Sequence, residues 1–228
     1  MQRFIISLIL LLAPLVMRAQ LFKPLEVGRS PFVRLSVDPT VPLKTFLQKA
    51  DMTGFEATVD SEIMQNLFLI GGLGNTSTHM SDERFSYANT GAYAFVGADL
   101  NLTQYANPQD RDIFFVGLRY GFSVMSHEAE DIVMENYWGS YSTDVASETF
   151  SASWLELAAG VKTEWAKNFF VGWTAEAKFR THLSDGEMTP YNIPGFGKTD
   201  ASFTFDLNIF LSYAITLKPK KAAPPTEE

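Results

Sequence analysis

Ala201-Ser202-Phe203-Thr204-Phe205-Asp206-Leu207-Asn208-Ile209-Phe210-Leu211-Ser212-Tyr213-Ala214-Ile215-Thr216-Leu217 carries an apolar residue at every odd position, and six of its eight even positions are polar. Side chains of a strand point alternately to opposite faces, so this ribbon has one oily face and one wet face. Half-buried strands of soluble proteins alternate in the same way, but usually over about 5–6 residues. A tilted strand crosses a bilayer in about 9–11 residues. The stretch therefore reads as a membrane strand with its apolar face toward lipid and its polar face toward a barrel interior.

Seven further segments share the pattern: residues 32–37, 53–60, 66–78, 90–103, 112–124, 150–164 and 169–181. With 201–217 they predict an all-β fold, an eight-stranded antiparallel transmembrane barrel with a polar, side-chain-filled lumen. Long and short connections are expected to alternate, with short turns at 61–65, 107–110 and 165–168, which places both termini on the periplasmic side. Phe68-Leu69-Ile70-Gly71, Phe114-Phe115-Val116-Gly117 and Phe169-Phe170-Val171-Gly172 each follow a turn and open the third, fifth and seventh strands. Aligned on their first Phe, these strings put Phe68, Ile70 and Gly72 on the lipid face of the third strand, where Leu67–Leu73 is apolar on both sides.

Met1-Gln2-Arg3, a short apolar run and Met17-Arg18-Ala19 form a secretory signal pattern, with cleavage expected after Ala19. The expected organisation is a signal peptide at 1–19, a periplasmic segment at 20–30, the barrel at 31–217 and a flexible, charged, proline-rich tail at 218–228. Loss of Arg3 and Arg18 takes the formal charge from −8 to −8 − 2 = −10. So acidic a chain will not follow a phosphate backbone, which argues against a nucleic-acid partner. Cysteine is absent, which excludes disulfides and thiolate chemistry. No residue pattern calls for a metal or a cofactor.

The inward positions carry Arg34, Glu56, Asp99, Arg119, Glu156, Lys162, Glu176, Lys178, Arg180 and Asp206. An eight-stranded barrel has room inside for side chains only, and ions there must pair, so these charges are expected to form a network that fills the bore. Outward, the third and fourth strands offer small residues, Gly72, Gly74, Ala92, Ala94 and Ala98, a possible docking face for an outer-membrane protein or lipoprotein within the surrounding lipid. Ser126-His127-Glu128 carries the residue types of a hydrolase triad, but adjacent strand residues point apart, so no catalytic site is assigned. The segment 126–147 is read as a long polar loop. It holds Glu128, Glu130, Asp131, Glu135 and Asp144 with no Lys or Arg, and no EF-hand spacing. Tyr137-Trp138-Gly139 in the same segment offers exposed aromatics to a protein or glycan.

Three strings carry a family resemblance: Val116-Gly117-Leu118-Arg119-Tyr120-Gly121-Phe122-Ser123, Trp154-Leu155-Glu156-Leu157-Ala158-Ala159-Gly160 and Tyr191-Asn192-Ile193-Pro194-Gly195-Phe196. The chain resembles an uncharacterised domain-of-unknown-function family of small bacterial outer-membrane proteins, and its architecture is similar to OmpA- and OmpX-type barrels. The resemblance implies a small barrel in the cell outer membrane and no established activity. The expectation is a structural or interaction subunit of an envelope complex, not an open pore. The alternative is an outer-leaflet enzyme that modifies lipid A.

Overall fold

The computed structural model describes residues 31–40, 52–82, 85–103, 105, 107, 110–137, 139–186 and 188–217. The expected signal peptide, the 20–30 segment and the 218–228 tail lie outside the described residues. Among the described residues ten strands follow one another: β1 Phe32–Asp38, β2 Met52–Met64, β3 Leu67–Asp82, β4 Phe85–Asn101, β5 Ile113–Asn136, β6 Gly139–Ala166, β7 Phe169–Leu183, β8 Asn192–Ile193, β9 Gly197–Lys198 and β10 Phe203–Thr216. Eight of them close a barrel in the order β1-β10-β7-β6-β5-β4-β3-β2, and every neighbouring pair is antiparallel. β8 and β9 form a separate two-stranded hairpin. Closure removes every edge within the wall, so its backbone groups pair without water.

The polarity of the barrel is inverted relative to a soluble protein. Leu35, Leu73, Val96, Leu118, Phe122, Phe205, Leu207 and Leu211 are exposed on the outside, while Arg34, Asp60, Asp99, Arg119, Glu156 and Glu176 are buried inside. The interior also holds two apolar clusters. One gathers Phe32, Phe68, Ile113, Phe115, Phe170 and Ala214 near the end where residues 31 and 217 meet. The other gathers Ile70, Tyr93, Phe95, Met125, Phe150, Trp154, Ile193 and Phe196 toward the opposite end.

The third strand faces the other way from the expectation. Phe68 and Ile70 are 1% and 2% exposed, whereas Leu69 and Leu73 are 50% and 58% exposed. A Cβ on Gly72 would meet the Phe95 ring and one on Gly74 the Tyr93 ring, so both glycines look into the lumen. The repeated string aligns on its second Phe in the other two strands: Phe68, Phe115 and Phe170 are equivalent, all inward in one cluster. The docking face accordingly loses Gly72 and Gly74. Ala98 and Ala94 stay outward but lie opposite Leu69 and Leu73, so the wall there is not uniformly small.

The expected alternation of long and short connections is replaced by another pattern. At the end near the termini, two-residue turns at 65–66 and 167–168 contrast with the longer connection at 102–112. At the opposite end, β5 and β6 run on through the expected loop as a ladder that reaches Asn136↔Gly139. Polar residues on both sides of that segment hide a strand from a search for alternation, because beyond the apolar belt neither face needs to be oily.

The two short turns are copies of one device. Asn66 and Asn168 take positive φ, at 67° and 66°, the left-handed region that Asn tolerates better than most residues. Each backbone N–H donates to a carboxylate four residues back, Asn66 to Glu62 Oε1 at 2.9 Å and Asn168 to Glu164 Oε1 at 2.6 Å. Register shifts at Glu62/Met64 and Glu164/Ala166 bend the preceding strand in both.

Candidate functional site: the filled lumen and its inserted loop

The lowest layer of the lumen surrounds Arg34. Its guanidinium carbon stands 5.1, 5.6 and 5.8 Å from the ring centroids of Phe170, Phe68 and Phe32. Nε and Nη2 both donate to Asp60, the latter at 2.8 Å. Asp60 also accepts Lys162 Nζ at 2.7 Å, so one carboxylate joins two cations from opposite sides of the bore. Ring faces attract the cations, and the fork geometry of arginine suits a carboxylate. Arg111 closes the end, 4.9 Å from the Phe32 ring and bonded to Asn168 and Thr216.

Above it, Arg119 reaches three carboxylates from three strands: Asp99 at 3.3 Å, Glu156 at 2.9 Å and Glu176 at 3.2 Å. Lys178 bridges Glu176 at 3.1 Å and Asp206 at 3.0 Å. Glu56 accepts the Tyr93 hydroxyl at 2.8 Å. Cross-strand register explains the centre: Arg119 lies opposite Gly97 on one side and Glu156 on the other, and Glu156 lies opposite Lys178. The missing side chain of Gly97 leaves room for the Arg119 stem, since a Cβ there would strike it.

The upper layer is a loop. Residues 190–199 turn back into the barrel mouth, with Asn192, Ile193, Phe196 and Thr199 buried. Gly195, at φ 77°, passes so close to Tyr93 and Trp154 that a Cβ would collide with both rings. The wall holds the loop by its backbone. Lys178 donates to Gly195 O at 2.9 Å, Arg180 to Thr199 O at 2.7 Å, Thr204 to Phe196 O at 2.7 Å and Asn89 to Asn192 O at 2.7 Å. Tyr191 N–H donates to the Tyr87 hydroxyl at 2.8 Å. The same hydroxyl lies 3.4 Å from His127 Nδ1. His127 sits past Val124, which ends the run of exposed apolar residues at 114–124, and the next positions on that face, Ser126, Glu128 and Glu130, are polar, so it lies beyond the apolar belt. Burial lowers its pKa, and the charge of Glu148 pulls the other way.

Nine of the ten charges marked in the sequence meet a partner of opposite charge or a hydroxyl in the bore. The tenth, Arg180, serves the loop and lies 6.0 Å from the Phe196 ring. Asp60 escapes the sequence reading because the second strand is expected to end there; its neighbour β1 pairs on to Ser61. The loop escapes it as a lumen element, although Ile193, Pro194 and Phe196 between polar neighbours are a signal of burial. Of Ser126-His127-Glu128, only His127 is buried, and Ser126 bonds instead to Ser147 at 2.8 Å. Tyr137 is exposed at the tip of the β5–β6 ladder, and Trp138 lies outside the described residues. No group of three or more His, Asp or Glu among the described residues is arranged to hold a metal ion.

A family model described as a domain of unknown function, DUF6048, matches residues 1–220. No curated protein matches the chain. Among solved structures, the chain is similar to a major outer membrane protein from Thermus thermophilus, at 10% identity and TM-score 0.45 over 82% of this chain and 99% of that one. It is also similar to CarO2 of Acinetobacter baumannii, at 10% identity and TM-score 0.39 over 82% and 98%. A third similar structure is Ail, the attachment invasion locus protein of Yersinia pestis, at 10% identity and TM-score 0.38 over 82% and 97%.

Proposed function

The chain belongs to the DUF6048 family, and we propose that it is a bacterial outer-membrane barrel with a closed lumen, acting as a structural or interaction subunit of the envelope rather than as a pore. One observation carries this reading: the wall is oily outside and ionic inside. In water, such a wall would expose leucines and phenylalanines around its whole girth. In a bilayer, the same residues meet hydrocarbon and the ions meet one another. The filling of the bore supports the second half. Arg34, Arg119, Lys162 and Lys178 are all buried with carboxylate partners, and the loop 190–199 caps them.

The membrane half is tested by fractionation. The protein should partition with outer membranes, need detergent for extraction, and migrate on gels in a heat-modifiable form. Recovery as a soluble periplasmic monomer without detergent would overturn the reading.

A further inference from the structure

Three neighbouring strands change from oil to hydroxyls at one level. On β5 the outward apolar run spans Phe114 to Val124, about 25 Å for a strand tilted by about 40°, which is the height of a barrel's apolar band. The next outward residue is Ser126. It lies opposite Thr90 of β4, and Thr90 lies opposite Ser77 of β3. This row sits where hydrocarbon gives way to headgroups, at the end of the barrel away from residues 31 and 217. Ester carbonyls, which join acyl chains to headgroups, occupy the same level.

Ser77 Oγ stands 3.2 Å from His79 Nε2 and 2.8 Å from Thr90 Oγ1. Strand alternation puts Asn75, Ser77 and His79 on one face, and that face is outside: Thr76 and Thr78 between them are buried, while Asn75 and His79 are exposed. Asn75 Oδ1 accepts the Phe55 N–H at 3.3 Å, which leaves its NH2 to donate. A carboxylate shares the outer wall. His79 lies opposite Ala88 and Ala88 opposite Glu128, two strands and about 10 Å away at the backbone. Toward the belt, Ala92 and Ala94 are exposed on β4, between Leu73 on one side and Phe122 and Val124 on the other. An acyl chain laid along these alanines, between the taller residues, brings its ester end to Ser77.

From this placement we propose that Ser77 and His79 are the nucleophile and base of a site that hydrolyses acyl esters of membrane lipid. A serine hydroxyl is a weak nucleophile until a base takes its proton. With its Nδ1 protonated, His79 accepts the Ser77 proton at Nε2 as Oγ bonds to the ester carbonyl carbon. The charge of Glu128 favours the imidazolium so formed. Negative charge develops on the carbonyl oxygen, within reach of the Thr90 hydroxyl. The carbon–oxygen bond to the alcohol then breaks, and the alcohol leaves with the proton from Nε2. Water attacks the acyl-serine, His79 takes its proton and returns it to Ser77 Oγ, and a fatty acid departs. The inference rests on the membrane placement proposed above and adds an activity on the outer wall, apart from the lumen.

The test uses the full chain folded in detergent micelles that carry either phosphatidylethanolamine or lipopolysaccharide, with released fatty acid measured by mass spectrometry. A fluorophosphonate, which bonds to activated serines, locates the nucleophile by peptide mass. The expected result is fatty acid from one or both lipids, which identifies the source of the ester, and a phosphonate on Ser77. Ser77→Ala should abolish release. His79→Gln should lower kcat at least about 100-fold, and Thr90→Val about 100-fold with KM little changed. Ser126→Ala, in the same row but bonded to Ser147, should match the unmodified protein. Release that survives Ser77→Ala would overturn the site. So would the absence of release from both lipids by a sample that shows heat-modifiable migration. Loss of that migration in the unmodified protein would refute the barrel, and this inference with it.

Discussion

Arg119 shows how a single residue can hold the lumen together. Its guanidinium faces Asp99, Glu156 and Glu176 within 3.3 Å. Removing one partner of a buried ion pair leaves the other charged and dry, which costs about 3–5 kcal/mol. Arg119→Ala should therefore destabilise the barrel by about that amount in urea unfolding followed by heat-modifiable migration. A loss below about 1 kcal/mol, ordinary for a surface position, would contradict the packed network. His127 makes a second, pH-dependent claim. Burial holds its folded-state pKa below the unfolded value of about 6.5, so the native state binds fewer protons than the unfolded chain. Its contribution is complete above the unfolded pKa and is lost as pH falls from there toward the folded pKa. A protonated ring would also carry its charge into this buried site beside the Tyr87 hydroxyl. Wild-type stability should drop more than that of His127→Gln between about pH 7 and 5. Parallel curves would show that His127 makes no pH-dependent contribution to stability.

Among the elements, the two asparagine turns set the register of four strands, β2 with β3 and β6 with β7. A left-handed conformation costs an ordinary L-residue roughly 1–2 kcal/mol. Asn168→Ala should slow or weaken folding by about that amount while Asn168→Gly is tolerated, as read from the folded fraction after refolding into liposomes. Equal behaviour of the two variants would show that the turn does not depend on φ. Alternation in the sequence is enough to read β4, β5 within the belt, β6, β7 and β10, because one face of each meets oil and the other meets ions. It fails in β3, where Leu67–Leu73 is apolar on both sides and the inward residues are aromatic filling rather than ions. It fails again beyond the belt, where the β5–β6 ladder has no oily face to mark it. Ion-pair partners are legible as a set of inward charges, but Asp60 is hidden by an expected turn. The inserted loop carries no periodicity at all, since its burial comes from backbone hydrogen bonds donated by wall residues such as Lys178, Arg180 and Asn89.

At the scale of the whole molecule, the described residues form a membrane wall whose inward side chains pack against one another. Aromatic rings and Arg111 close one end, paired charges fill the middle, and the loop 190–199 occupies the other. An eight-stranded barrel is only just wide enough for the inward side chains to fill it, which is the ground for the closed lumen proposed above. Planar-bilayer recording of the purified, folded protein tests this account most directly. It predicts no steady single-channel current, even at voltages that drive ions through open barrels. Large, steady currents from the unmodified protein would contradict the filled lumen and the role derived from it.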